Sequence, residues 1–389
     1  GYNTVGSGYD FCPGPVDSQI MWDHWLNKQS HPEIRLLFST REEDMEEWPL
    51  RDSLGNPVSA VFGVTDRWAD QEVWCEFHDM MDSIHHEQAP FPTYHLGLYV
   101  RQTAFAWNSK LNKNIFFLLR EFKNITDDTI RYMYVGHGSD MDIGDADNDL
   151  LGIDVGRSLG WTCTLTQEIG WSSSPPYYVG IKLLQGPKAD YEVVLQGYNG
   201  MGNLVVDTVI GKGERLPLTS FNKCTRQVDA DNEPKRYMML AGYDIVTGEY
   251  SPFGSVPDMA PQDKRMIMGC GPFELAPGEV DTFLTAVMFS NGDYGGLDFL
   301  KAQGDVAQVM YDNDWAFPSP PPAPKVTVTP GDGKVTIVWD NFPQTVPDPW
   351  HPIMIDPGIG EPIVDTLYKE YDFEGYRLWK SRTGVEGDW

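Results

Sequence analysis

The sequence lacks the segments and motifs on which several classes of protein depend. No stretch reaches the roughly 18 consecutive apolar residues that a membrane-spanning helix needs. There is no HExxH motif, since His85-His86-Glu87 has no second histidine at the required spacing. A Gly-x-Ser-x-Gly sequence occurs at 156–160, GRSLG, but the strand predicted at 160–167 follows it where a nucleophile elbow needs a helix. A Walker phosphate loop is absent. We therefore expect no membrane insertion and no catalytic site of these types.

Basic residues are scarce. The chain has 29 Lys and Arg against 57 Asp and Glu, which gives a net charge of −28. Such a charge disfavours nucleic acids and anionic membranes as partners. It suits a salt- and calcium-rich exterior, so we expect a secreted, extracellular or cell-surface location. The sequence starts at Gly1 without a signal peptide, which predicts a processed product or part of a longer protein.

Cysteines are few and widely separated, without the CxxC or Cys/His spacings of zinc and haem sites. The five are Cys12, Cys75, Cys163, Cys224 and Cys270. An odd number cannot pair fully within one chain. The sequence therefore leaves open two disulfides with one free thiol, or no disulfide.

What the sequence does contain predicts a mainly β fold. The 389 residues allow two or three domains, and 38 Gly with 29 Pro favour turns and short strands. Runs rich in β-branched and aromatic residues predict a large antiparallel β-sandwich over residues 1–315. The predicted strands cover residues 73–79, 94–107, 114–126, 160–167, 177–186, 191–198 and 203–211, with two more inside 266–292.

Helical periodicity is convincing in one place. Residues 295–315 carry apolar side chains at helical spacing, so we expect one helix near 296–312 that packs on the sandwich. A shorter helix is predicted around Gln19–Lys28. Residues 212–265 are polar and are predicted to form a loop-rich excursion.

The most informative segment is 139–154, SDMDIGDADNDLLGID, which holds six aspartates and no Lys or Arg. Like charges this close repel each other unless a cation lies between them. Ca²⁺ accepts about six to eight oxygen ligands in irregular geometry. Interleaved apolar residues such as Ile143 and Leu151 indicate a folded loop. We predict a calcium site with ligands drawn from Asp140, Asp142, Asp145, Asp147 and Asp149, and with Asp154 behind them or as a closing ligand. A solvated loop without metal is the alternative.

The carboxy-terminal part resembles a known module. Residues 316–324 contain the proline run FPSPPPAP and predict a semi-rigid linker. The segment after it, 325–389, resembles a partial fibronectin type III domain. The match rests on KVTIVWD, which places Trp339 at a core position of the second strand, and on GYRLWKS, which places Tyr376 in the third. The resemblance implies a small β-sandwich with an unusual insertion at 341–372.

The first 315 residues are similar to a β-rich domain of secreted bacterial proteins that often carry type IX secretion sorting tails. The matching stretches include FCPGPVD, DQEVWCEFHD, FFLLREFKNIT, DMDIGDADNDLLGIDVGRSLGW and GCGPFELAPGE. The resemblance implies an extracellular location and brings no catalytic residues with it.

These features together predict a non-enzymatic structural or adhesion protein that calcium stabilises. Its expected partners are other surface proteins or copies of itself. The incomplete last module leaves three alternatives open: a chain that continues, packing on the first domain, or completion by a strand from another copy. The last alternative would build a filament, because unpaired strand edges recruit other strands.

Carbohydrate binding or hydrolysis is the alternative function. Sugars stack on aromatic side chains, and tryptophans are concentrated in the first quarter of the chain, namely Trp22, Trp25, Trp48, Trp68 and Trp74. The same residues also suit core packing, and sequence alone does not reveal a pair of carboxylates at glycosidase spacing.

Overall fold

The structure is a computed structural model that forms two compact units, Gly1–Ala307 and Gln308–Trp389. Each unit is considered by itself below. The described residues are 2–3, 8–9, 12–16, 35–80, 96–108, 112–198, 204–254, 260–315, 323–347, 353–355, 362–364, 369, 371, 373–378, 380–381 and 383.

The first unit is mainly β, as the sequence predicts. Its strands are β1 Tyr2–Asn3, β2 Gly8–Tyr9, β3 Cys12–Pro13, β4 Leu37–Phe38, β5 Gln71–His78, β6 Leu98–Ala106, β7 Ile115–Asn124, β8 Ile130–Asp140, β9 Leu150–Asp154, β10 Leu159–Thr164, β11 Tyr177–Gln185, β12 Val193–Tyr198, β13 Leu204–Ile210, β14 Ser220–Thr225, β15 Lys264–Leu275 and β16 Val280–Ser290. The α-helices are α1 Glu42–Glu46, α2 Glu233–Leu240 and α3 Gly296–Asp312, of which the residues from Gln308 onward belong to the second unit.

Two antiparallel sheets of unequal size account for most of these strands. The larger has the order β3-β5-β6-β7-β16-β11-β10-β9, and β4 pairs with β5 at its side. The smaller has the order β14-β15-β8. Two short ribbons, β1-β2 and β12-β13, complete the unit. Strands that are neighbours in sequence, such as β5, β6 and β7, are neighbours in the sheet, which is common for hairpin-connected antiparallel strands.

The main core lies between the two sheets. Val100 and Phe122 of the larger sheet belong to one buried cluster with Phe221, Met268 and Phe273 of the smaller sheet. The rings of Phe122 and Phe273 are 5.7 Å apart. Burying each such side chain is worth about 1.5–3 kcal/mol. The predicted antiparallel, sandwich-type fold is therefore confirmed for this unit.

Helix α3 covers the opposite side of the larger sheet. Leu300 and Ala307 are fully buried, and the predicted helix near 296–312 is confirmed. Gly180 on β11 makes room for the helix, since an added Cβ would lie 3.0 Å from the Leu300 side chain.

Some local predictions differ from the structure. The supposed loop-rich excursion at 212–265 contains β14 and α2. The α2 helix begins after Asn232, whose side chain accepts a hydrogen bond from Lys235 N. A strand is predicted at 375–381, but its described residues, 375–378 and 380–381, are not in a strand. The helix predicted at Gln19–Lys28 lies outside the described residues.

The second unit contains four described strands: β17 Val326–Gly331, β18 Lys334–Trp339, β19 Ile353–Ile355 and β20 Pro362–Val364. They form two separate hairpins, β17-β18 and β19-β20. The β17-β18 hairpin exposes valines along both strands. Trp339 and Tyr376 have ring centroids 5.4 Å apart, and the Tyr376 hydroxyl donates to Asp340 O. Residues 316–322 of the predicted linker lie outside the described part.

Two expectations concern the chain as a whole. Cys75, Cys163, Cys224 and Cys270 are free thiols, so none of these four forms a disulfide. Within the described residues, no helix is long and apolar enough to cross a membrane.

Candidate metal centre

The acidic segment 139–154 is folded. Strand β8 ends at Asp140, a 3₁₀ turn spans Ala146–Asn148, and β9 begins at Leu150. Ile143, Leu150 and Leu151 are buried. Burial of the apolar residues fixes the backbone of the loop, so the acidic side chains between them are held in defined positions.

Glu168, which the sequence analysis did not single out, organises this loop. Its Oε2 accepts from Asp145 N at 3.1 Å, and its Oε1 accepts from Asn148 Nδ2 at 3.0 Å. Gly144 has φ +77°, and a Cβ there would lie 2.1 Å from the Glu168 carboxyl group. Only glycine combines that backbone conformation with this close approach. Asp145 caps the 3₁₀ turn by accepting from Asp147 N at 3.1 Å.

Three carboxylates converge at the end of β8. Asp140, Asp142 and Asp263 each offer an oxygen within 4.8 Å of the others. Strand pairing explains the contact: Arg265 lies opposite Asp140 in the β8–β15 register, so Asp263, two residues earlier, lies beside Asp142. The burial of Asp142, together with the charges of Asp140 and Asp263, raises the pKa of that carboxyl. Oxygen atoms at this spacing are suitable ligands for one hard cation.

Asp149 is buried near this group. Its side chain is fully buried, and burial raises its pKa to about 7, with further contributions from Asp142, Asp263 and Glu168. Asp149 Oδ1 accepts from Ile143 N at 3.4 Å, whereas Oδ2 has no hydrogen-bond partner in the described part of the chain. A buried carboxylate oxygen without a partner costs free energy unless a proton or a cation compensates it.

Cations from elsewhere in the chain neutralise some of the acids. Arg265 donates to Asp140 Oδ2 at 2.7 Å and to Asp229 Oδ2 at 2.6 Å. At the far end of β9, Asp154 pairs with Arg157 at 3.0 Å and with Lys301 at 3.5 Å. Among the described residues, no ion pair involves Asp142, Asp149 or Asp263.

The structure therefore divides the six predicted ligands. Asp140 and Asp142 belong to the convergent group, and Asp149 is electrostatically coupled to it. Asp145 serves as a cap, Asp147 is exposed, and Asp154 is held by two basic side chains. Asp263 was missed because it reaches the group only through strand pairing. Its position just before a strand that begins at Lys264 was the sole signal in the sequence.

The described tryptophans of the first quarter lie mainly in a core. Trp48 and Trp74 are buried with Leu37, and Trp68 packs against this cluster. The rings of Trp48 and Trp68 meet edge to face at 5.7 Å. These three residues therefore contribute to the packing of the fold. Trp22, Trp25 and the His85-His86-Glu87 sequence lie outside the described residues.

Comparison with known families finds no family model that matches this chain. A comparison with curated proteins also finds no match. The two resemblances drawn from the sequence therefore stay predictions.

Proposed function

We propose that this chain is a secreted or cell-surface structural protein, without enzymatic activity, whose first unit is stabilised by calcium. The proposed ligands are Asp140, Asp142 and Asp263, with Asp149 as the buried fourth carboxylate. The observation that carries the proposal is the unpartnered Oδ2 of Asp149, fully buried and electrostatically coupled to Asp142 and Asp263.

The donor set favours calcium over zinc. All proposed ligands are carboxylate oxygens, which calcium prefers, whereas structural zinc sites use thiolate and imidazole. The Cys163 thiol interacts electrostatically with Asp149, and burial together with that charge raises the pKa of Cys163 to about 12. A thiol of that pKa stays protonated at neutral pH and is a poor zinc ligand. Arg265 compensates part of the negative charge of the four carboxylates, and one divalent cation would compensate most of the rest.

Calcium titration of the full chain after treatment with EDTA tests the site. Calcium should raise the melting temperature, and at a free concentration of about 100 times Kd the stabilisation should be about 2.7 kcal/mol. Asp263→Asn should abolish most of this gain. Asp147→Asn, an exposed acid of the same loop, is the matched control and should retain it. If calcium does not change the melting temperature of the EDTA-treated protein, the proposal is wrong.

Self-association is the second part of the proposed function. It is supported by one face of the β17-β18 hairpin, where Val326, Val328 and Val335 are each more than half exposed. A two-stranded hairpin leaves both outer edges available for pairing with another chain. We expect filaments or oligomers in electron micrographs and light scattering of the calcium-loaded protein. Val328→Lys should suppress them more than Thr327→Lys, which is on the other face of the same strand. A monomeric wild-type protein at high concentration would refute this part.

A further inference from the structure

We infer that the first unit carries a binding pocket for a neutral sugar ring, between β11, β16 and the turn that follows β16. The pocket has a volume of ≈ 250 Å³. Its walls include the aromatic residues Trp171, Tyr177, Phe289 and Tyr294 and the amides Asn114 and Asn291. This combination of flat apolar surfaces and neutral hydrogen-bonding groups matches a polyhydroxylated ring, which has apolar faces and a polar rim.

The aromatic residues of the pocket are unusually accessible. Trp171 is 45% exposed, Phe289 45% and Tyr294 53%. Large aromatic side chains that gather at one exposed place mark interaction sites. Trp171 is nonetheless held in position, because its ring meets the ring of Tyr177 edge to face at 4.6 Å. The indole therefore offers a fixed platform on which a sugar ring can stack.

Asn291 supplies an unused hydrogen-bond acceptor. It occupies the N-cap position of the 3₁₀ turn Gly292–Tyr294, but its side chain makes no capping bond. Its Oδ1 is buried and has no partner among the described residues. An asparagine at such a position ordinarily caps the turn, and buried amide oxygens are ordinarily bonded. This oxygen is shielded from solvent in the free protein, so a ligand hydroxyl group would satisfy it once the Asn291 side chain turns toward the pocket.

The walls of the pocket are tied together before any ligand arrives. Gln167 Nε2 donates to Trp171 O at 3.0 Å and to the Tyr177 hydroxyl at 2.9 Å. Gly292 N donates to Ser174 O at 2.8 Å, and Asp293 Oδ2 accepts from Ser174 N at 3.1 Å. These bonds join the loop before β11 to the turn after β16. A site that is already ordered loses less entropy when it binds.

The chemistry of the walls selects against other ligands. Within the described part of the chain, no charged side chain lines the pocket. Phosphates, carboxylates and amino acids would lack counter-charges there, and the net charge of −28 disfavours anions further. A purely apolar ligand would leave Asn291 Oδ1 unsatisfied. The volume is below the roughly 300 Å³ at which pockets for drug-sized ligands begin, so a single sugar ring is the appropriate size.

NMR titration of the full chain tests this inference. The probes are the methyl glycosides of glucose, galactose, mannose and N-acetylglucosamine, with glucuronate and cyclohexanol as charged and apolar comparators. The Trp171 indole signal is assigned by its loss in Trp171→Ala. At least one neutral glycoside should shift this signal with a Kd of about 1 mM, or roughly −4 kcal/mol.

Variants separate this pocket from non-specific binding. Glycoside binding to the variants is measured from protein amide signals. Trp171→Ala should weaken this binding about tenfold. Asn291→Ala should weaken it about fivefold, because one hydrogen bond is lost. Asn291→Ala removes no capping bond, so its melting temperature should match the wild type. The control is Phe342→Ala, an exposed aromatic residue of the second unit. The inference is wrong if none of the four glycosides moves the Trp171 signal. It is also wrong if glucuronate or cyclohexanol binds more tightly, or if Phe342→Ala costs as much as Trp171→Ala.

Discussion

The two ends of β9 hold buried or half-buried aspartates in opposite electrostatic states. At the carboxyl end, Asp154 pairs with Arg157 and Lys301, and its pKa is lowered, since its hydrogen bonds with Arg157 and both positive charges outweigh the burial that opposes them. At the amino end, burial raises the pKa of Asp149 to about 7, and no basic group pairs with it in the described part of the chain. The first site contains its own cations. The second has acids in excess, which is why we propose that it takes its cation from solution.

The largest expected effect comes from Asp149→Asn, because it removes a buried charge that no basic side chain among the described residues pairs with. In EDTA at pH 8, we expect the free energy of unfolding to rise by about 2 kcal/mol. In saturating calcium the same variant should lose most of the calcium-induced stabilisation. Urea unfolding with and without calcium measures both changes, and Asp147→Asn should alter neither by more than about 0.5 kcal/mol. A metal-free Asp149→Asn protein that is less stable than the wild type would contradict the proposed state of this carboxyl.

A second difference between the two ends is their dependence on pH. In EDTA, the pKa of Asp149 in the folded chain is above its ordinary value. The contribution of Asp149 to stability is therefore present below that ordinary pKa and is lost as pH rises through about 7. The folded pKa of Asp154 is lowered, so its contribution is present above its ordinary pKa and is lost as pH falls. Each pH unit within these windows changes the stability by up to about 1.4 kcal/mol.

Carbon-13 NMR of the aspartate carboxyl groups measures this pH dependence directly. The Asp149 signal is identified by its loss in Asp149→Asn, and Asp142, Asp263 and Glu168 are the neighbouring carboxylates whose charges raise its pKa. Calcium should suppress the titration of Asp149 near pH 7, because a bound cation displaces the proton. A titration of Asp149 below pH 4 in the chelated protein would show that its burial does not govern its charge.

Of the contacts at the two ends of β9, the sequence indicates only those between residues that are close along the chain. Asp140 and Asp142 are two residues apart, so their proximity follows from local geometry. Asp263 joins them only through the β8–β15 register, and Lys301 reaches Asp154 only through the packing of α3. Contacts between distant segments depend on the fold, and charge patterns along the chain do not encode them.

The same distinction applies to the fold and the pocket. Alternating or continuous apolar runs located strands such as β7 and β16, and helical spacing located α3. Helix α2 escaped prediction because it has only eight residues and a weak apolar face. The pocket brings Trp171 beside Asn291, which no spacing in the sequence suggests.

A smaller effect is expected at the compensated end of β9. Asp154→Asn should lower the free energy of unfolding by about 0.5–1 kcal/mol, because Arg157 and Lys301 each lose one partner at a partly exposed site. Arg157 keeps its bond to Asp305, which limits the loss. The change measured by urea unfolding should be the same with calcium and with EDTA. A loss that is larger with calcium than with EDTA would place Asp154 in the metal site as a closing ligand.

The smallest expected effect links the two proposed sites, and it rests on both. Ile143 lines the pocket, and its backbone N donates to Asp149 Oδ1, so the uncompensated end of β9 is in contact with the sugar site. Calcium that fixes Asp149 should also fix this wall and raise glycoside affinity about twofold to threefold, a coupling below about 1 kcal/mol. NMR titration at Trp171 with and without calcium measures the ratio. In Asp149→Asn, the glycoside affinities with and without calcium should be equal, and the calcium-free affinity should match the wild type. In Asp154→Asn, which changes the end of β9 that carries its own cations, the ratio of the two affinities should stay as in the wild type. If calcium changes glycoside affinity equally in the wild type and both variants, the two sites are not coupled through Asp149.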